Sequence, residues 1–310
     1  MRRIRAATIV VLLSSALSDA RNASWIEFRS AHFIVVTDAG EKRGRAAAEQ
    51  FERIQAFFRQ SLATGGNHPV PLVKVLAAKN EATMRQALPA WASSPGHARM
   101  AGLFVHRDGK YFALVELDTQ RSGYFPVVYH EYYHAITTPY YPNLPIWLSE
   151  GLADFYGFTE IKDTSIETGV PDRDLLNVLR TQKLIPLSVL FAVDRASPYY
   201  NEPEKTPIFY AESWLLTHYL MIGSAEEHQS LVKYLQALNQ GKSWSEASTA
   251  FGDLKKLESE LKAYIRQKKF LSVSSPLTSA DSSPIQTREL SADEERNYLR
   301  EFSAAFTPGH

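Results

Sequence analysis

Cysteine is absent from the 310-residue sequence. Disulfide bonds and thiolate metal ligands are therefore excluded, and any metal ion must be held by histidine and carboxylate side chains. Cysteine usage also says nothing about the compartment, so the location of the protein has to be inferred from the N-terminal segment alone.

An excess of charge of either sign is also absent, because 34 Lys and Arg residues stand against 34 Asp and Glu residues. Without the first twenty residues the numbers are 31 and 33. This balance predicts no nucleic-acid partner. Hydrophobic residues make up 45% of the chain and aromatic residues 12%, which is enough to bury a substantial core in one large or two small domains.

A long apolar run is missing as well. Arg2, Arg3 and Arg5 precede a short apolar run over residues 6–17, and small residues follow it up to Ala20. The run is shorter than the roughly 20 residues of a membrane span. Residues 1–20 are therefore predicted to be a secretory signal peptide, the alternative being an uncleaved anchor. We expect an exported protein, periplasmic or secreted, with no stable membrane span after cleavage.

The motif around which the chain is organised is H-E-x-x-H, formed by His130, Glu131 and His134. On a helix, the i, i+4 spacing places both imidazoles on one face, where both reach one tetrahedral Zn²⁺ at roughly 2.0–2.1 Å. Glu131 then lies beside the metal, where a carboxylate is suited to act as the general base of metal-assisted hydrolysis.

A third ligand is predicted in the segment W-L-S-E-G-L-A-D, where Glu150 follows His134 after fifteen intervening residues. Gly151 is expected to let the helix of Glu150 approach the His130 helix closely. Asp154 lies one turn after Glu150 on the same face, so we expect it to accept a hydrogen bond from His130 and to set the tautomer of that imidazole.

The alternative is that the five-residue pattern arose by chance. Its context favours the metal site, because helix boundaries surround it. Pro126 suits a first helical turn and Pro139 ends that helix, while a second short helix is predicted from Pro145 to Gly157.

Together these motifs resemble the gluzincin metallopeptidases, and specifically the bacterial peptidase MA-like group. The resemblance extends over roughly residues 25–270. It includes Trp25 with the His32–Thr37 segment, and a downstream Tyr210-Ala211-Glu212-Ser213-Trp214 helix. The gap before Glu150 is shorter than in the thermolysin-like and aminopeptidase branches, so no substrate preference is carried over.

The resemblance implies an α+β, zincin-like, two-lobed metallopeptidase with a mixed sheet in its N-terminal lobe. It implies that His130, His134 and Glu150 are the zinc ligands and Glu131 the catalytic base. It also points to Tyr210, sixty residues after Glu150, as a donor to the tetrahedral intermediate, for which a neutral phenol is suited. The alternative is that Tyr210, with Trp214 and Met221, only packs its helix.

The periodicity predicts five segments. They are a signal peptide over 1–20, an α/β lobe over 21–157, a helical lobe over 158–270, a linker over 271–290 and a terminal helix over 291–310. Within the first lobe, Arg107-Asp108-Gly109-Lys110 predicts a hairpin turn, and one hairpin strand is expected at the sheet edge beside the zinc helix. An extended peptide substrate could pair with that edge. Alternatively, the hairpin only completes the sheet.

In the second lobe, a polar and aromatic loop over 195–205, with Tyr199 and Tyr200, either lines the cleft or is an ordinary surface turn. Glu212 and His218 are expected to be structural or exposed. The sequence thus predicts a zinc metallopeptidase acting on peptides or proteins. The alternative is a catalytically silent zincin-fold module that binds a protein partner, because fold does not determine function.

Overall fold

The computed structural model describes residues 24–62, 71–92, 102–118, 125–162, 164–276 and 284–307. The predicted signal peptide lies outside these ranges. The described residues form an α+β fold with a mixed six-stranded sheet, as predicted.

Nine strands are present in the described residues. They are β1 (Ile26–Arg29), β2 (Phe33–Thr37), β3 (Val73–Ala78), β4 (Gly102–Arg107), β5 (Lys110–Glu116), β6 (Glu160–Ile161), β7 (Ser165–Thr168), β8 (Val273–Pro276) and β9 (Gln286–Glu289). The six-stranded sheet has the order β4-β5-β3-β2-β1-β9. Within it, β3 pairs in parallel with β2 and β5, and the other neighbours are antiparallel.

The helices follow and interleave with these strands. They are α1 (Glu41–Ser61), α2 (Glu81–Ala87), α3 (Pro89–Ala92), α4 (Pro126–Thr137), α5 (Ile146–Gly157), α6 (Arg173–Thr181), α7 (Leu187–Leu190), α8 (Pro198–Asn201), α9 (Thr206–His218), α10 (Ala225–Asn239), α11 (Trp244–Ala247), α12 (Leu254–Ile265) and α13 (Ala292–Phe306). A π-helical turn, Tyr219–Gly223, extends α9, and a 3₁₀ turn, Ser248–Phe251, extends α11.

The hairpin between β4 and β5 is confirmed. Asp108 and Gly109 have φ angles of 51° and 71°, so both central residues of the two-residue loop lie in the left-handed region. That conformation matches the twist of the strands, and Asp-Gly is among the few pairs that adopt it without strain. The hairpin leaves β4 at the edge of the sheet.

Two hydrophobic cores meet at α5. Trp147 and Leu148, at its start, are fully buried among α6, α9, α10 and α12. Ala153, one and a half turns later, packs with the sheet, α1 and α4. One helix thus belongs to both cores, which explains why a residue on α5 can be held rigidly relative to both halves of the chain.

The region expected to be a linker, residues 271–290, contains two strands in its described part, which corrects that expectation. β9 pairs with β1, and β8 pairs with β7 and through it with β6 in a second, three-stranded sheet. The strands β6 and β7 also interrupt the segment expected to be helical. These strands are two to four residues long, and β8 and β9 pair with partners about a hundred or more residues away, so local periodicity does not reveal them.

The predicted terminal helix, α13, begins with a capping box in which Ser291 and Glu294 exchange hydrogen bonds. It packs on the sheet face opposite α1, where Phe302 is fully buried with its ring 5.6 Å from that of Phe112. Lys74 on β3 forms an ion pair with Glu301 at 2.7 Å. The helix therefore docks on the six-stranded sheet.

Candidate metal centre

The helix α4 carries the H-E-x-x-H motif. Pro126 occupies its first turn, where the missing N–H of proline costs nothing, and the helix ends at Thr137, two residues before Pro139. Val128, Tyr129, Tyr132 and Tyr133 bury one face of α4 against the sheet core. His130 and His134 consequently lie on the opposite, half-buried face.

The close approach of α5 to its neighbours depends on two glycines. A Cβ at Gly151 would lie 2.2 Å from Thr217 Oγ1 and 2.3 Å from the backbone oxygen of Ser213, so this glycine faces α9. The expectation that Gly151 faces the His130 helix is therefore wrong. Gly157 is the glycine that faces the His130 helix, because a Cβ there would lie 3.2–3.3 Å from His130 atoms. Helical spacing alone does not show which neighbour a glycine faces.

Three ligand atoms meet between α4 and α5. Nε2 of His130 lies 3.2 Å from Nε2 of His134, and Oε2 of Glu150 lies 3.2 Å and 3.3 Å from these two nitrogens. A tetrahedral ion with ligand distances of ~2.0–2.1 Å needs ligand atoms ~3.3 Å apart. The three atoms thus form one face of such a tetrahedron. The group, in which the two histidines are half-buried and Glu150 is buried, can hold a metal ion.

The far side of the His130 ring contacts Asp154. Nδ1 of His130 lies 2.7 Å from Oδ1 of Asp154, whose side chain is buried. With Nδ1–H donating to this carboxylate, the lone pair of Nε2 is directed at the ligand group. Ser149 Oγ lies 3.5 Å from Nδ1 of His134, so the second imidazole also has a neighbour on its far side.

The carboxylates give the site a strong preference for positive charge. Burial lowers the pKa of His130, but hydrogen bonds to Asp154 and Glu150 outweigh it and raise the pKa to about 10. Burial likewise raises the pKa of Glu150, and the two histidines reverse that effect and lower it to about 2. The donor set is therefore organised around a cation, for which a proton and a metal ion compete.

Glu131 lies between two cavities. One, of about 350 Å³, lies between α4 and the edge strand β4 and is lined by Phe104, Val105 and His106. The other, of about 290 Å³, is lined by the three candidate ligands and by the loop over 195–205. Glu131 borders both cavities, and burial raises the pKa of its carboxyl while the neighbouring histidines oppose the shift. A carboxylate with a raised pKa is a better proton acceptor.

Tyr210 on α9 faces the second cavity, with its ring 6.4 Å from the His130 ring. Burial and the charge of Glu150 raise the pKa of Tyr210, so its hydroxyl stays protonated at neutral pH and can donate. By contrast, Trp214 is fully buried in the helical core. Tyr210 is partly buried against that same core, so it both packs on the helical lobe and lines the cavity.

Tyr200 connects Tyr210 to the ligand group. The rings of Tyr200 and Tyr210 are stacked with their centroids 6.4 Å apart, and the hydroxyl of Tyr200 donates to Oε1 of Glu150 at 3.4 Å. Of the two tyrosines in the 195–205 loop, Tyr200 lines the cavity. Tyr199 instead lies under the ammonium group of Lys205.

The other polar residues of α9 are structural. Glu212 is 1% exposed and accepts a hydrogen bond from the backbone N–H of Ile185 at 2.6 Å. His218 is fully buried, with Nε2 donating to Gly169 O at 3.0 Å and Nδ1 accepting from Tyr264. Both residues therefore stabilise the helical core. Of the two expectations, structural or exposed, the first is the one that the structure shows.

Ser149 was not found from sequence, although its position directly before the ligand candidate Glu150 was an available signal. Arg195 lies in the loop over 195–205, whose composition predicted cleft lining as one of two alternatives, but the sequence gave Arg195 no role of its own. Comparison of the chain with protein-family models and with curated protein sequences gives no significant match.

Proposed function

We propose that the protein is a zinc metallopeptidase of the gluzincin type. One observation carries the proposal: the ligand atoms of His130, His134 and Glu150 lie 3.2–3.3 Å apart while Glu131 borders the same cavity. A metal-binding group with no role in hydrolysis does not require an unliganded carboxylate at this place.

Zinc is the metal that this donor set suits best. Two imidazole nitrogens and one carboxylate oxygen, with no thiolate, form the His₂Glu set of catalytic zinc sites, which keep a fourth position open. Zinc supplies a Lewis acid that polarises the scissile carbonyl and makes water acidic near neutral pH. The hydrogen bond to Asp154 orients His130 for this role.

Two side chains of the cavity would carry the proton transfer and stabilise charge. Glu131 accepts the proton of the attacking water and passes it to the nitrogen of the leaving amine. Tyr210 donates its hydroxyl hydrogen to the oxygen on which negative charge develops.

An extended peptide is the substrate that the surroundings favour. β4 is an edge strand, and its residues Phe104–His106 line the cavity that Glu131 borders. A peptide can add itself to such an edge through main-chain hydrogen bonds. The second cavity continues from Glu131 towards the helical core. This arrangement supports a two-lobed, zincin-like architecture with a cleft along α4.

Export is part of the proposal and rests on the signal-peptide pattern of residues 1–20. Within the described ranges, no helix has the length and apolar character needed to cross a bilayer.

The function is tested by metal content and peptide turnover measured on the same protein. We expect one zinc per chain after dialysis, and hydrolysis of a mixed peptide library detected by mass spectrometry. Glu131→Gln should keep the zinc and lose about 10²–10⁴-fold in rate, because the amide preserves shape but is not a base. His130→Ala should lose the metal, whereas His228→Ala, remote from the ligand group, should retain it.

Two results would contradict the proposal in different ways. Stoichiometric zinc in His130→Ala would remove the assigned ligand group. Zinc binding by the wild-type protein without turnover of any peptide would favour the catalytically silent module.

A further inference from the structure

The cavity beside the ligand group is lined by two chemically different sets of residues. Tyr141, Pro142 and Leu144, on the segment that joins α4 to α5, and Ile146, the first residue of α5, form a largely apolar set. Arg195, Tyr200 and Tyr210 line the same cavity and carry hydrogen-bond donors. A substrate group that enters this space therefore meets both apolar surface and hydrogen-bond donors.

Among the residues that the structure describes, Arg195 is the one Lys or Arg that lines either cavity next to Glu131. Within the described part of the chain, its guanidinium forms no ion pair and no side-chain hydrogen bond. Lys205, near the other end of the same loop, shows the contrast, because it is paired with Glu202 at 2.7 Å. The loop thus carries one paired cation, Lys205, outside the cavity and one unpaired, solvent-exposed cation, Arg195, that lines it.

The backbone that carries Arg195 is anchored. Asn201 Nδ2 donates to the carbonyl oxygens of Arg195 and Ser197 at 2.7 Å and 3.0 Å. Asp194 accepts from the backbone N–H of Ala196 at 2.9 Å, and Ser197 caps α8. Because these bonds hold the loop in place, binding an anion requires ordering of the Arg195 side chain alone, which lowers the entropic cost.

Two acidic groups of the site are already engaged. Glu150 belongs to the ligand group and Asp154 is buried against His130. Glu131 stands at the reaction centre. An arginine in this position binds a carboxylate through two parallel hydrogen bonds better than it binds any neutral group.

We propose that Arg195 makes the cleft select peptides that present a carboxylate next to the scissile bond. This inference rests on the proposed peptidase function. The carboxylate can belong to an acidic side chain or to the free C-terminus of the peptide. In the first case the enzyme cleaves beside Asp or Glu, and in the second case it removes residues from the C-terminal end.

Matched peptides separate the two sources. One starting peptide that the zinc-loaded protein cleaves is made in three forms. The first is capped at both ends and has Gln beside the scissile bond, and the second is identical except that Glu replaces this Gln. The third is the Gln peptide shortened so that it ends at this Gln with a free C-terminal carboxylate. We expect kcat/KM to be about 10–100-fold higher for one carboxylate form than for the capped Gln form.

Variants of the loop show whether Arg195 causes the preference. Arg195→Met should reduce the ratio of the two kcat/KM values to near one, because it removes the charge and keeps much of the side-chain volume. Lys205→Met, which removes the paired cation of the same loop, should keep the wild-type ratio. An equal fall in kcat/KM for all three peptides in Arg195→Met would overturn the inference, since it would indicate a general electrostatic role.

A binding experiment makes the result independent of turnover. The zinc-loaded Glu131→Gln protein is titrated with the same three peptides in a calorimeter, with and without Arg195→Met. Tighter binding of one carboxylate form, lost in the Arg195→Met background, is the expected outcome. Equal affinity for all three forms, or no binding of any, refutes carboxylate selection even if the protein hydrolyses peptides. Absence of hydrolysis with selective binding contradicts only the proposed function.

Discussion

Asp154 lies 2.7 Å from Nδ1 of His130, on the side of the imidazole ring that faces away from Glu150 and His134. Asp154 is buried and lies on α5, as Glu150 does. One helix therefore provides both the candidate ligand Glu150 and the carboxylate that orients His130, the candidate ligand on α4. The geometry of the three candidate ligands therefore depends on how α4 packs against α5.

We expect Asp154→Asn to weaken zinc affinity by about 10–100-fold while the fold is preserved. An amide can present its N–H to the imidazole and so favours the wrong tautomer. Affinity is measured by competition with a chromogenic chelator, and circular dichroism checks the fold. Asp174→Asn, at an exposed position in the first turn of α6, is the control. Wild-type affinity in Asp154→Asn would leave the contact without a role in metal binding.

Tyr210→Phe should lower kcat by about 10²–10³ and leave KM near its original value. The change removes one hydroxyl donor and almost no volume, and the proposed hydrogen bond forms only in the transition state. Steady-state kinetics on a cleaved peptide measure both constants. Tyr219→Phe is the matched control, because its hydroxyl bonds to Glu260 outside the cavity. If Tyr210 only packs, the variant changes stability alone, by about 1 kcal/mol.

Gly151→Ala should destabilise the protein by about 1–3 kcal/mol, because the added methyl group overlaps the backbone oxygen of Ser213 on α9. Urea unfolding followed by fluorescence measures the change. Gly157→Ala provides a contrast, because its methyl group meets His130 at 3.2 Å and should chiefly weaken metal binding. A fully stable Gly151→Ala protein would contradict the tight α5–α9 packing.

The free energy of unfolding of Glu212→Gln should exceed that of the wild type by an amount that grows as the pH rises. Burial raises the pKa of Glu212 to about 8, and the charge of Glu258 adds to the effect. The folded protein therefore binds more protons than the unfolded chain between about pH 4.5 and 8. Stability due to Glu212 is complete below pH 4.5 and is lost towards pH 8, at about 1.4 kcal/mol per pH unit.

Urea midpoints at pH 5 and pH 8.5 test this directly. The difference between Glu212→Gln and wild type should be small at pH 5 and amount to a few kcal/mol at pH 8.5. Glu289→Gln, at an exposed position on β9, controls for the loss of one charge. A difference that does not depend on pH would show that Glu212 is ionised in the folded protein.

Local patterns in the sequence were sufficient for much of this protein. The i, i+4 spacing of His130 and His134, the Asp108–Gly109 turn and the capping box at Ser291 each depend on residues within one or two turns of chain. The backbone geometry of such short segments follows from the residues themselves, because sterics and local hydrogen bonds dominate there. The α+β class and the ligand group could therefore be predicted.

The tertiary structure alone decided which distant segments meet. It placed Gly151 against α9, paired β9 with β1, and brought Arg195 and Tyr200 to a cavity beside Glu150. None of these contacts leaves a local periodic signal, because each depends on how two hydrophobic cores pack around α5. The sequence by itself determined a pair of helices whose side chains can hold a metal ion, and the packing of the whole chain determined what surrounds that pair.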